Sequence, residues 1–253
     1  MMRIMKKLVL GGLCAAFALS ALGCLSLNSN DASDFIKRGN KYYAKGEYDR
    51  AIEDYTQAIR LNPMSTLAYN GRGGSYSQKG DYNTAIEDYT QAITHDPNNV
   101  YAYINRGWAY ISISDYDLAI VDFTQAVAQS DHLWDTNRAY LGRGRAYHLK
   151  KEYDRAIADY TQAIAMRSSM VDGYYLRGLS YHAIGEYDSA ILDFTEALKR
   201  DPKYALAYAN RGNVYYKKGD YAGARADYER ALKLDPNLTE PQEKLEELKN
   251  EGR

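Results

Sequence analysis

The sequence predicts an all-α chain, a solenoid of six helix-turn-helix hairpins closed by a C-terminal helix, and three observations carry that reading. The dipeptide Arg-Gly recurs at Arg38-Gly39, Arg72-Gly73, Arg106-Gly107, Arg143-Gly144, Arg177-Gly178 and Arg211-Gly212, in steps of 34, 34, 37, 34 and 34 residues. Other positions keep register with those glycines: twelve residues on is always Ala, sixteen on is Tyr or Phe (Tyr55, Tyr89, Phe123, Tyr160, Phe194, Tyr228), and nineteen on is again Ala. Pro63, Pro97, Pro202 and Pro236 close four of the six units, where proline can stop a helix but not continue it. A period of this length marks a hairpin that cannot bury its own apolar face and must stack on copies of itself.

Residues 1–23 read as an export signal. Arg3, Lys6 and Lys7 supply a basic start, Leu8 to Leu22 carries no charge, and Ala21-Leu22-Gly23 stands before Cys24. The stretch resembles a bacterial lipoprotein signal, which implies that Cys24 becomes the acylated first residue of the mature chain. It departs from that pattern in having Ala21 and Leu22 where Leu and then a small residue are usual. Ordinary cleavage after the Ala-x-Gly triplet is a second reading, and an uncleaved anchor over Leu8 to Leu27 a third. Cys14 lies inside the apolar stretch, so a mature chain keeps one cysteine and no internal disulfide. Residues 24–33, rich in Ser and Asn, read as a flexible tether.

Residues 34–238 hold the six repeats. In the first helix of the first repeat Phe35, Gly39 and Tyr42 share one stripe at helical spacing, as do Ala51, Tyr55 and Ala58 in the second. Glycine in mid-helix costs about 1 kcal/mol, so its recurrence points to close packing of the paired helices. The turn Gly46-Glu47-Tyr48 and its copies put an acid at a helix N-terminus, where the dipole favours it. This ladder resembles the tetratricopeptide repeat family, departing where repeats three and four have Asp131 and Ser168 instead of the closing Pro, and in using Phe35 or Tyr for the first Trp. The resemblance implies a right-handed superhelix with a concave groove that recognises proteins. The three extra residues within Gln129 to Thr136 lengthen either a helix or a loop and leave Trp134 accessible. Residues 239–253 form a capping helix and tail, with Leu245 and Leu248 apolar and Glu243, Lys244, Glu246, Glu247 and Lys249 facing water.

Composition narrows the function. The 26 Tyr against 4 Phe and 2 Trp suit a thin structure whose core lies near water. Net charge is -1, and losing the first 23 residues lowers it to -4, so nothing supplies the basic stripe that a nucleic acid needs. No nucleophile elbow, phosphate loop or Cys/His cluster occurs, so no catalytic, cofactor or metal residues are assigned. His148 and His182 hold the same place in adjacent repeats but lack a third ligand. The six Arg, with Asp54, Asp88, Asp122, Asp159, Asp193 and Asp227 in fixed register, read as a structural ion-pair ladder.

The expected recognition surface is the lateral face of the first helices: Tyr43, Tyr101, Ile104, Trp108, Ile111, Arg138, Leu141, Arg145, His148, Asp172, Tyr175, Leu179, His182 and Tyr216. Packing between neighbouring first helices is the other reading of the same side chains. The expected function is a non-catalytic scaffold of the bacterial cell envelope, held at the membrane by lipid, that binds a peptide segment or helix of a partner, by resemblance as an assembly factor. The rival is a glycan or cell-wall binder using the Tyr-rich groove. The basic clamp by which relatives grip the C-terminal carboxylate of heat-shock proteins is missing, since Ile36, Asn40, Gly71, Tyr101 and Asn105 stand at its places.

Overall fold

A computed structural model describes residues 31–252; residues 1–23, where the sequence leads one to expect an export signal, and Cys24 lie outside them. The described residues form thirteen helices and no strand. Six hairpins follow one another: α1 (Ala32–Ala44) with α2 (Tyr48–Leu61), α3 (Thr66–Gln78) with α4 (Tyr82–His95), α5 (Val100–Ser112) with α6 (Tyr116–Gln129), α7 (Leu133–Leu149) with α8 (Tyr153–Met166), α9 (Val171–Ala183) with α10 (Tyr187–Arg200), and α11 (Ala205–Lys218) with α12 (Tyr221–Leu234). The last helix, α13 (Thr239–Asn250), packs on α12. Each helix touches the next along the chain, and successive first helices touch one another, which makes the all-α solenoid.

The glycines and aromatics of the ladder meet directly. A Cβ on Gly39 would stand 2.8 Å from the Tyr55 ring, and one on Gly107 would stand 2.9 Å from Phe123; the other four repeats pair Gly and ring in the same way. Burying such a ring contributes about 1.5–3 kcal/mol, and Phe123, Tyr160, Phe194 and Tyr228 are fully buried. Two rings are also covered from the following repeat, Tyr55 by Gly71 and Phe123 by Gly142.

The hairpin turns require a left-handed residue seven positions after each ladder glycine. Gly46, Gly80, Gly185 and Gly219 supply it at φ between 76° and 83°, and Ser114 and Lys151 are forced to φ 64° in the two repeats that lack glycine there. The acid that follows is the N-cap of the second helix. Asp81, Asp115 and Asp220 accept a backbone N–H with their side chains, while the longer Glu47, Glu152 and Glu186 do not.

The ion-pair ladder is present in all six repeats and is bidentate throughout. Arg106 donates from Nε and Nη2 to Asp122 at 2.8 and 2.7 Å, and Arg177 to Asp193 at 2.8 Å through both nitrogens. The remaining nitrogen, Nη1, reaches back to the preceding repeat: Arg72 to Thr56, Arg106 to Thr90, Arg143 to Thr124, Arg177 to Thr161 and Arg211 to Thr195, at 2.8–3.2 Å. One guanidinium thus closes its own hairpin and stitches it to the one before.

The extra residues before repeat four lengthen a helix. α7 has 17 residues against 13 in α1, α3, α5 and α9, the added turn lying at its start. Trp134 on that turn is 55% exposed, with the Arg167 guanidinium 4.7 Å over its ring. At the far end Leu248 is fully buried, but Lys244 and Glu247 do more than face water. Tyr216 donates its hydroxyl to Glu247, and Lys244 Nζ sits 4.7 Å over the same ring.

Candidate functional site

The first helices of repeats one to three and the added turn of α7 enclose a cavity of about 790 Å³. It is open because α3 presents glycines. Gly71 lies on the Tyr55 ring and Gly74 leaves ordinary contact distance to Tyr43, so no side chain fills the middle. Six amides are in its lining: Asn40, Asn70, Asn98, Asn99, Asn105 and Gln129. Tyr55 donates its hydroxyl to Asn40 Oδ1 at 2.6 Å, and Asn70 Nδ2 donates to Asn99 Oδ1 at 3.2 Å. Three oxygens are unmatched: Asn70 Oδ1, Gln129 Oε1 and Asp135 Oδ1 are buried with no hydrogen-bond partner among the described residues. Asp96, Asp131 and Asp135 also line the cavity, and no Lys or Arg does. A smaller cavity of about 370 Å³ shares Tyr43, Gly74 and Asn105 with it and runs on past Trp108 to Ser112, so the two form one groove.

Of the side chains expected at the recognition surface, Tyr43, Tyr101 and Trp108 line this groove. Tyr101 is 53% exposed. Ile104 is a correction: it is fully buried in a cluster with Ala139 and Ala146 of α7, because adjacent first helices meet there. Ile111 packs against the same cluster, and Trp108 sets its ring edge on Phe123 at 5.5 Å with the exposed Arg145 6.0 Å above it. Arg138 and Leu141 are half-buried, and Asp172 is exposed away from the cavity. Tyr175 packs on Phe194 and Tyr204 and accepts from Asn210 Nδ2 at 3.1 Å, with Leu179 in the same cluster. Tyr216 is covered by the cap. Tyr175, Leu179 and Tyr216 thus make packing contacts in the later repeats, whereas the cavity lies on repeats one to three and the start of α7. Asn70, Gln129 and Asp135 were not among the expected residues; the signal for them is the amide-rich run of the first three repeats together with an acid inside the inserted turn.

His148 and His182 do not converge on a common ligand. His148 Nδ1 shares a hydrogen bond with Ser180 Oγ at 2.8 Å and its ring meets Tyr153, while His182 lies against Tyr187. Burial holds both imidazoles below their ordinary value, aided by the nearby charge of Arg145 and of Lys217 respectively. The unfolded chain therefore binds protons first, and stability supplied by the neutral rings is present above about pH 6.5 and is lost as pH falls below it. The melting temperature is expected to fall between pH 7 and 5, above the carboxylate range, and to fall less in the His148→Gln, His182→Gln double variant. An unchanged slope in that variant overturns the assignment.

Comparison with known proteins gives the family. One profile described as TPR repeat matches residues 39–80 and 144–185, and three described as tetratricopeptide repeat match 66–99, 88–121 and 175–238, so that together they span most of the array. A comparison with curated proteins gives no significant match. Among solved structures, MamA is 30% identical over 65% of this chain and 94% of its own, with a TM-score of 0.59. PilW, described as a widely conserved type IV pilus biogenesis factor, is 17% identical with a TM-score of 0.77 over 86% of this chain and 99% of its own. A chain of the APC/C hetero-tetramer Cut9-Hcn1 is 18% identical with a TM-score of 0.71 over 86% of this chain, which spans only 42% of that longer one. The chain belongs to the tetratricopeptide repeat family, whose arrays are scaffolds for protein–protein interaction.

Proposed function

We propose that this chain is a lipid-tethered recognition scaffold of the bacterial cell envelope that holds an extended segment of a partner protein in the groove of its first repeats. The amide-rich cavity of about 790 Å³ carries the reading. Asn and Gln side chains offer a donor and an acceptor on one group, the same pair a peptide unit presents, so a row of them matches an extended backbone without demanding a sequence. Tyr43 and Tyr101 supply apolar area beside those polar groups, in a volume normal for a binding site. The export signal and Cys24 support the tether, two or more acyl chains being what holds a protein on a bilayer.

The double variant Tyr101→Ala, Asn105→Ala tests the groove. Capture of an envelope protein from host extracts by the parent, and its loss in a variant that melts at the parent temperature, is the expected result. Capture surviving in the variant overturns the groove, and retention of cell-wall fragments instead of protein transfers the site to a glycan. For the tether, mass spectrometry of protein from its host is expected to show diacyl or triacyl mass on Cys24; an unmodified Cys24 or a different first residue removes that part.

A further inference from the structure

Acids and unpaired acceptors line the groove, and among the described residues its lining holds no Lys or Arg, only the exposed His132, 3.4 Å from Asp131. Asp135 is 2% exposed, lines the main cavity, and its Oδ1 has no hydrogen-bond partner among the described residues. It stands in the first turn of α7, where the helix dipole favours negative charge, but the N-cap residue His132 makes no side-chain cap there. A buried carboxylate left unpaired is unfavourable unless something cationic meets it. Asn70 Oδ1 and Gln129 Oε1 lack a donor in the same cavity, and Asp96 and Asp131 add two further acids to its lining. The whole set asks for N–H groups and positive charge.

We propose, resting on the groove reading above, that the segment held there is basic and that it places an arginine in this cavity, its guanidinium against Asp135. Arginine fits better than lysine for two reasons. Its planar fork carries five donors in a geometry that matches a carboxylate and leaves N–H groups over for neighbouring oxygens, where an ammonium is a point charge with three. The Tyr43 and Tyr101 rings at the cavity also give the flat guanidinium faces to stack on. An acidic C-terminal tail meets repulsion at the same place, in keeping with the missing basic clamp.

The test uses the full chain and four pools of end-capped, fluorescein-labelled dodecapeptides of mixed sequence with a fixed central Arg, Lys, citrulline or Glu, read by fluorescence anisotropy. Citrulline keeps the shape of arginine and removes its charge. The Arg pool is expected to bind at least tenfold tighter than the citrulline and Glu pools, with Lys between, and to weaken with added salt. Asp135→Asn should abolish the preference for Arg over citrulline, and Tyr101→Ala, at an exposed site that does not hold the fold, should weaken the Arg pool several-fold with an unchanged melting temperature. Equal binding of the Arg and citrulline pools, or an Arg preference undiminished in a folded Asp135→Asn protein, overturns the proposal and leaves the groove standing. Should Asp135→Asn not fold, the parent protein decides: an Arg pool that outbinds citrulline and weakens with salt supports the proposal, and equal binding of the two overturns it. Failure of every pool to bind overturns the groove as well.

Discussion

Gly142→Leu is expected to destabilise the middle of the array by about 3 kcal/mol, the upper end of what overpacking costs. A Cβ at position 142 would stand 2.3 Å from Cε1 and Cζ of Phe123, and the same ring also meets Gly107, where a Cβ would be at 2.9 Å. The fully buried ring touches both backbones, so turning away from one side chain brings it against other packed atoms. Relief has to come from parting α6 and α7, which opens the joint between repeats three and four. Because a solenoid is stabilised by nearest-neighbour contacts, urea denaturation should then separate into two transitions. Gly74→Ala is the control: its Cβ meets Tyr43 at 3.6 Å, an ordinary contact, and the helix gains up to about 1 kcal/mol of propensity. A Gly142→Leu midpoint equal to the parent's would contradict this packing.

Arg106→Ala is expected to cost about 3 kcal/mol, as breaking a buried ion pair on one side usually does. The Arg106 side chain is 16% exposed and that of Asp122 3%, and burial already pushes the Asp122 carboxyl up from its ordinary value against the pull of the arginine. Without Arg106 the acid is stranded and Thr90 loses its donor from the next repeat. Arg38→Ala should lose much less, since its side chain is 57% exposed and it begins the array. Replacing both members, Arg106→Met with Asp122→Leu, should recover most of the loss, because the pair's own net contribution is small. Thermal melts of the four proteins decide this, and equal losses for Arg38→Ala and Arg106→Ala would show that burial is not what matters.

The repeats, the pairing of Arg with Asp, and the cap were legible because each depends on residues close in sequence and repeated in register. The backward bond from Arg to Thr was legible in principle and was missed. Thr56, Thr90, Thr124, Thr161 and Thr195 all follow the ladder aromatic, and Glu229 replaces threonine after the last Arg-Gly pair of the ladder. The groove was harder. Helical angles define a lateral face, but Ile104 on it is consumed by the contact with α7 and Tyr175 by Phe194 and Tyr204, and single-helix geometry does not say how closely neighbouring helices approach. The position of the cavity depends on what α3 lacks, through Gly71 and Gly74, and on where one added turn of α7 carries Asp135. Those are properties of four helices at once, and no window of the sequence contains them.

The backward-reaching arginine also gives the chain a grammar for growth. Every joint is written as one half in the unit before and one half in the unit after, and the halves lie 16 residues apart at four joints and 19 apart at Thr124 and Arg143. Copying or excising a block of 34 residues from just after one threonine to the next leaves every half matched; without residues 162–195, Arg211 comes to stand where Arg177 stood, opposite Thr161. An extra length is tolerated between a threonine and the next arginine, as the three residues before Arg143 show, where the bond still closes at 3.2 Å. Such a chain can change its reach by whole cassettes while its seams stay shut, and a longer spacer at that point can carry an added side chain to the cavity, as the one before Arg143 carries Asp135.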